Sequence, residues 1–375
     1  MRTLNLALQG GGSHGAFTWG VLDALLEDGR IDLEGLSGTS AGAVNAIALA
    51  SGWARAQAAG QDPREGARRA LRAVWQRVAA LGSAGSLQQQ LARMLWGGLP
   101  AELAPDHLLR QAWRGMLSPY QSNPLDINPL RDLLEEQLDF AAVARHPRLK
   151  VFVCATHVNT GKAVVFTGER LDARAVLASA CLPTLFHAVE IEGEAYWDGG
   201  YSANPPIAPL VAACRTADIA LVQINPLRRA QAPRTGAEIA DRASELTFNA
   251  SLLSQLRAIA FINRLVDEGA VEPGRCKRVR LHRIEPGPVL DALPASSRWL
   301  ADGPMIDQLF EAGRAAGRAW LEAHFDAIGR RDTVDIAADY LDDTRFELLP
   351  AAPGLRSTGR GFREWIARLL WRRAS

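Results

Sequence analysis

The sequence predicts an α/β fold on a mainly parallel sheet covered by helices, and three observations predict it. "LNLALQGGGSHGAFTWGVLDALLEDG" reads as a buried strand, a glycine-rich turn and a helix. "DLEGLSGTSAGAVNAIALASG" repeats that order around a second glycine turn. Further apolar, β-rich runs follow in "LKVFVCATHV", "DIALVQINPL" and "KRVRLHRI". Strands that alternate with helices pair in parallel through right-handed crossovers.

Residues 3–9 form the first strand, and Phe17, Val21, Leu22, Leu25 and Leu26 keep helical spacing until Gly29. The second strand runs through Leu36 into a tight turn at Gly38–Gly42 and an Ala-rich helix ending near Gly52. Residues 60–125 are rich in Arg, Gln and Ala, carry Trp75, Trp96 and Trp113, and break around "WGGLPAELAP"; they read as a helical insertion able to cover a site. "NPLRDLLEEQLDF" is a helix, and "LKVFVCATHV" pairs through "NTGK" with "AVVFTG". The helix "ARAVLASA" precedes two short strands around Gly193 in "AVEIEGEAYWDGGY", with a loop after Trp197. A long helix over 236–268 separates the last two strands. The expected organisation is a core over 1–225, a mainly helical extension over 226–350 with a strand near 277–284, and a tail over 351–375.

Lys and Arg number 42 against 41 Asp and Glu, which gives no global argument for a nucleic-acid partner. Cys154, Cys181, Cys214 and Cys276 are widely spaced without a CxxC pair, so we expect reduced thiols and no metal; no cofactor is expected either. The N-terminal apolar run is too short for a signal peptide and no stretch reaches the length of a membrane span, so a cytoplasmic protein is expected. The tail has six arginines between Arg356 and Arg373, with Phe362, Trp365, Ile366, Leu369 and Leu370 on one helical face. Such a helix suits peripheral contact with the inner membrane face through residues 360–373, or packing on the core or on a second copy in a homo-oligomer.

The first glycine turn has two chemical readings. Gly10, Gly12 and Gly15 satisfy the dinucleotide pattern G-x-G-x-x-G between a strand and a helix. That fold also expects an acidic residue at the end of its second strand, whereas Asp32 and Glu34 come before or within it. The other reading is an oxyanion hole of backbone amides at Gly10, Gly11 and Gly12, where no Cβ obstructs close approach. It needs a nucleophile, and "GTSAG" supplies one: Ser40 flanked by Gly38 and Gly42 at a strand-to-helix turn. A serine also needs a base. His282 and His324 lie in no distinctive loop, whereas Asp198 follows a strand and precedes Gly199 and Gly200, which allow a sharply turned carboxylate.

"GGGSHGAF", "GTSAG" and "DGG" in this order resemble the patatin-like phospholipase family, and the similarity covers residues 4–210. The resemblance implies a three-layer α/β/α sandwich and hydrolysis of carboxylic esters of fatty acids, phospholipids or lysophospholipids first. It implies a Ser-Asp dyad of Ser40 and Asp198 without histidine, and an oxyanion hole at the glycine loop. His14 stands where many family members carry Arg or Lys, which makes it a candidate for substrate contact, with helix capping or packing as its other roles. A lipid-binding protein with a degenerate site would share the fold, and retained NAD or FAD would mark the dinucleotide reading.

Overall fold

The computed structural model describes residues 1–95, 118–126, 128–229, 231–272, 274–293 and 295–341. The expected tail over 351–375 and the central part of the insertion, with the lid reading attached to it, lie outside them.

Eight strands make one mixed sheet: β1 (Arg2–Leu8), β2 (Ile31–Thr39), β3 (Lys150–His157), β4 (Ala163–Phe166), β5 (Val189–Ile191), β6 (Glu194–Asp198), β7 (Asp218–Val222) and β8 (Arg280–Ile284). The order is β5-β6-β3-β2-β1-β7-β8, with β4 paired to β3. β3, β2, β1, β7 and β8 run parallel, while β4, β5 and β6 are antiparallel additions. Among the parallel strands sequence order runs outward from β1 through β2 and β3 on one side and from β7 to β8 on the other, so the chain reverses between β1 and β7. In open α/β sheets that is where ligands bind, beyond the carboxyl ends of the strands. The glycine turn leaves β1 at that point.

The period-two alternation of the strands sorts the core into two faces. Leu6, Leu8, Val151, Val153, Ala220 and Val222 belong to one buried cluster. Their neighbours Ala7, Phe152, Ile219 and Leu221 belong to the other. The first face is covered by α1 (Gly15–Asp28), α2 (Ala41–Ala58) and α3 (Pro63–Leu95), then by α5 (Pro129–Gln137), α6 (Phe140–Ala144), α7 (Ala173–Ser179) and α11 (Gly303–His324); the four-residue α4 (Pro119–Ser122) precedes α5. The second face is covered by α8 (Ala208–Ala213), α9 (Gly236–Asp267) and α12 (Ile336–Tyr340), while Leu290 of α10 (Pro288–Asp291), after β8, joins the first cluster. The result is a three-layer α/β/α sandwich with C-terminal helices. Among the described residues no helix is long and apolar enough to cross a membrane.

Two details differ from the sequence reading. β2 continues past Leu36 to Thr39, because Gly38 still pairs with Leu8 of β1 and Val153 of β3, and the turn begins only at Ser40. Helix α1 is buried on nearly every side rather than along one stripe, because α11 covers its outer surface. Where α1, α3 and α11 meet, Asp23 is 1% exposed and takes two hydrogen bonds from Arg68, at 2.8 and 3.2 Å, and an ion pair from Arg314. Removing one partner of a buried ion pair strands the rest. Asp23→Ala is therefore expected to cost about 3 kcal/mol of stability, read by urea unfolding.

Candidate active site

Ser40 stands at the joint between β2 and α2 with φ 54° and ψ −124°. Positive φ is unfavourable for a residue with a Cβ, so surrounding contacts must hold this turn. The Ser40 N–H donates to Ser179 Oγ at 2.9 Å, and Thr39 Oγ1 donates to the Ala203 carbonyl at 2.6 Å. Gly38 and Gly42 allow the two sides of the turn to touch: a Cβ on Gly38 would lie 2.4 Å from the Gly42 carbonyl group.

Sheet register brings Asp198 to this serine. β3 pairs in parallel with β2 as far as Thr39 opposite Cys154, and its next residue, Ala155, is opposite Asp198 of antiparallel β6. The last residue of β6 therefore faces the position beside the one that holds Thr39. The Asp198 backbone is fixed by its N–H donating to the Cys181 carbonyl at 2.7 Å and by Thr156 Oγ1 donating to its carbonyl at 2.8 Å. The carboxyl is fully buried. Oδ1 accepts the Gly200 N–H at 2.7 Å, while Oδ2 has no partner at full hydrogen-bond geometry. The Ser40 hydroxyl is the side-chain donor beside it, in a contact looser than a complete hydrogen bond. Burial pushes this carboxyl up to about 7, against the opposing pull of the Gly200 amide, the Ser40 hydroxyl and the Arg298 charge.

The three loop glycines have different parts. Gly10 offers no amide to a ligand, because its N–H donates to Asn204 Oδ1 at 2.6 Å. Its carbonyl accepts from Asn225 Nδ2 at 2.7 Å and Asn204 Nδ2 at 3.3 Å, so side chains from the segments after β6 and β7 lock it. Gly11 and Gly12 differ: among the described residues neither amide donates to a protein group. Gln9 fixes the approach to them, its Oε1 accepting the N–H groups of Ile224 at 2.9 Å and Asn225 at 2.8 Å. Gly15, Gly199 and Gly200 sit at close packing contacts; a Cβ there would meet Ala41, the Cys154 carbonyl and the Phe248 ring respectively.

His14 is not exposed at the mouth of a site. It is 6% exposed, and its Nε2 lies 2.7 Å from Ser297 Oγ. Burial first, then the charges of Arg298 and Arg229, push it down to about 4, so it is neutral at pH 7. Its ring is thus buried against Ser297. His282 is remote from the site. It is bonded to Asp218, the first residue of β7, at the end of the parallel sheet opposite Ser40.

A strained serine, a buried carboxyl of near-neutral pKa and two unspent amides thus meet at the carboxyl ends of β1, β2 and β6, a set suited to acyl transfer. The sequence model of the patatin-like phospholipase family matches residues 6–211, more than half of the chain. The chain belongs to this family. The patatin domain generally indicates phospholipase or other carboxylic ester hydrolase activity. The crystal structure of VipD from Legionella pneumophila is similar over 86% of this chain and 67% of that one, with 16% identity and a TM-score of 0.39. No curated protein matches significantly.

Several residues of this patatin-like site escaped the sequence reading. Asn204, Asn225, Gln9 and Ser179 act through side-chain hydrogen bonds with residues distant in sequence; only the double proline after Asn204 marks one of them as held rigidly. Arg298 lies beyond the family match altogether.

Proposed function

We propose that this patatin-like protein is a lipid acyl hydrolase that works through a Ser40 acyl-enzyme with Asp198 as its base. The observation that carries the reading is the buried Asp198 Oδ2, unpartnered at full geometry and next to the Ser40 hydroxyl. In the first step Ser40 Oγ attacks the ester carbonyl carbon as Asp198 takes its proton. The carbonyl oxygen becomes an oxyanion and accepts hydrogen bonds from the Gly11 and Gly12 amides. Collapse of the tetrahedral intermediate breaks the bond to the alcohol, which leaves with the proton from Asp198. Water then attacks the acyl-enzyme as Asp198 takes its proton, and collapse of the second intermediate releases the fatty acid while Asp198 returns that proton to Ser40 Oγ. A loose contact before substrate binds is usual for such pairs, which tighten in the reactive complex.

Phospholipid or lysophospholipid is the substrate class that family membership favours. Tyr201 and Leu185, on segments adjoining Asp198, leave apolar surface exposed that suits an acyl chain. The carboxyl end of β2, where a dinucleotide fold would place an acidic residue, carries Thr39 and Ser40 instead. A fluorophosphonate probe tests the reading: wild type is expected to be labelled at Ser40, and Ser40→Ala to remain unlabelled. An unlabelled wild type, in detergent as in buffer, would leave a lipid-binding protein as the better account.

A further inference from the structure

The glycine loop is gripped by a short 3-10 turn, Ala295–Trp299, that follows α10 and lies outside the family match. Ser13 Oγ lies within hydrogen-bond reach of the carbonyls of Ser297 at 3.2 Å and Arg298 at 3.0 Å, and His14 Nε2 meets Ser297 Oγ. The Arg298 carbonyl fills the space a Cβ on Gly12 would need, 2.2 Å from that position. The same residue's side chain turns inward: Arg298 is 3% exposed, and its guanidinium lies 5.6 Å from the centre of the Phe248 ring. That ring packs against Gly200, whose amide holds Asp198 Oδ1. One residue therefore reaches both halves of the candidate site, the loop through its backbone and the Asp198 turn through its side chain.

We propose that Arg298 is a positioning residue for the acyl-transfer reaction, locking the glycine loop at Gly12 and supplying the positive charge that keeps Asp198 ionised as a base. The proposal rests on the assignment of Ser40 and Asp198 given above. A buried carboxylate needs such a charge, because burial favours its protonated, inactive form and a cation opposes it with little screening. Among the described residues Arg298 is the cation whose charge favours the ionised form of Asp198, alongside the larger pull of the Gly200 amide and the Ser40 hydroxyl. The other titratable groups that sense Asp198, the thiols of Cys154 and Cys181 and the phenol of Tyr201, have their pKa values raised by burial and by its charge and stay neutral at pH 7. His14, on the loop itself, is neutral there too. Burial disfavours the Arg298 charge and Arg229 repels it, but Glu245 and Asp241 of α9, with Asp198 itself, favour it. Glu245 is in turn held by Arg229 and Arg242. α9 and the 295–299 turn thus place this cation from a part of the chain outside the matched domain.

The test is the pH dependence of fluorophosphonate labelling at Ser40 in wild type, Arg298→Gln and Arg298→Lys, with melting curves to establish folding. Without the charge, Asp198 holds its proton to higher pH. The acid limb of the Arg298→Gln profile is expected to move up by about one pH unit, so that labelling at pH 6 falls about tenfold and the loss at pH 9 is smaller. Arg298→Lys is expected to restore most of the wild-type limb. If Arg298→Gln loses its fold, Arg298→Met makes the same comparison, since its apolar stem keeps the packing on Phe248. A neutral variant with an unmoved limb overturns the proposal, as does a lysine variant that shifts as far as the glutamine one. A wild type that never labels at Ser40 overturns the Ser40–Asp198 assignment instead, so the two failures are distinguishable.

Discussion

Asp198→Asn is expected to lose at least about a thousandfold in hydrolysis of a p-nitrophenyl acyl ester and, at pH 8, to be more stable than the wild type. The amide keeps the shape of the carboxyl, and its oxygen still accepts from the Gly200 amide, but it takes no proton from Ser40. The stability gain follows from the direction of the Asp198 shift, from 3.8 up to about 7. Between those values the folded protein keeps a proton that the unfolded chain releases, so the wild type loses stability as pH rises through that window. Above pH 7 it bears the whole cost of a charge buried with an incomplete set of partners. Asparagine is neutral throughout and bears none. The difference between the two proteins is expected to be near zero at pH 4 and on the order of 3 kcal/mol at pH 8, measured by urea unfolding at both. A variant less stable than wild type at pH 8 would mean that the carboxylate is better satisfied than its burial indicates. Sacrificed stability at a reactive group is common where function demands it.

What the sequence discloses about this site is what is local. "GTSAG" announces a strand-to-helix turn because its glycines and its serine act on one another within five residues, and the structure has Ser40 at that turn. The strands β3 and β6 are also legible, β3 as a continuous apolar run and β6 as a short strand after Gly193, but the register that puts Ala155 opposite Asp198 is not. Register depends on which edges meet, a property of the assembled sheet. Gly10, Gly11 and Gly12 look equivalent in one dimension and are not so in three. Asn204, 194 positions further on, takes the Gly10 amide and leaves the other two. His14 looks like a polar residue available to substrate until Ser297, 283 positions away, arrives to bond it. Burial of a polar side chain is decided by such distant partners, and no spacing rule within the loop could supply them.

Gly12→Ala tests how closely the loop depends on that distant segment, and it is expected to lose activity about a hundredfold or more, the usual cost of one oxyanion donor, along with stability. Gly12 has φ 57°, where an added Cβ costs about 1–2 kcal/mol from the backbone alone. The same Cβ would also stand 2.2 Å from the Arg298 carbonyl oxygen. Neither side of that contact can yield cheaply, because one is backbone and the other is the loop whose amides are in question. Gly193 is the control. It too has positive φ, 83°, in the turn between β5 and β6, but nothing lies within 4 Å of the position its Cβ would take. Gly193→Ala is expected to lose only the backbone strain, about 1 kcal/mol, with its activity intact. Equal losses of stability in the two variants, measured by thermal unfolding, would show that the 295–299 turn moves aside at little cost. A larger loss at Gly12, accompanied by loss of Ser40 labelling, ties the geometry of the amides to a turn that the family match does not include.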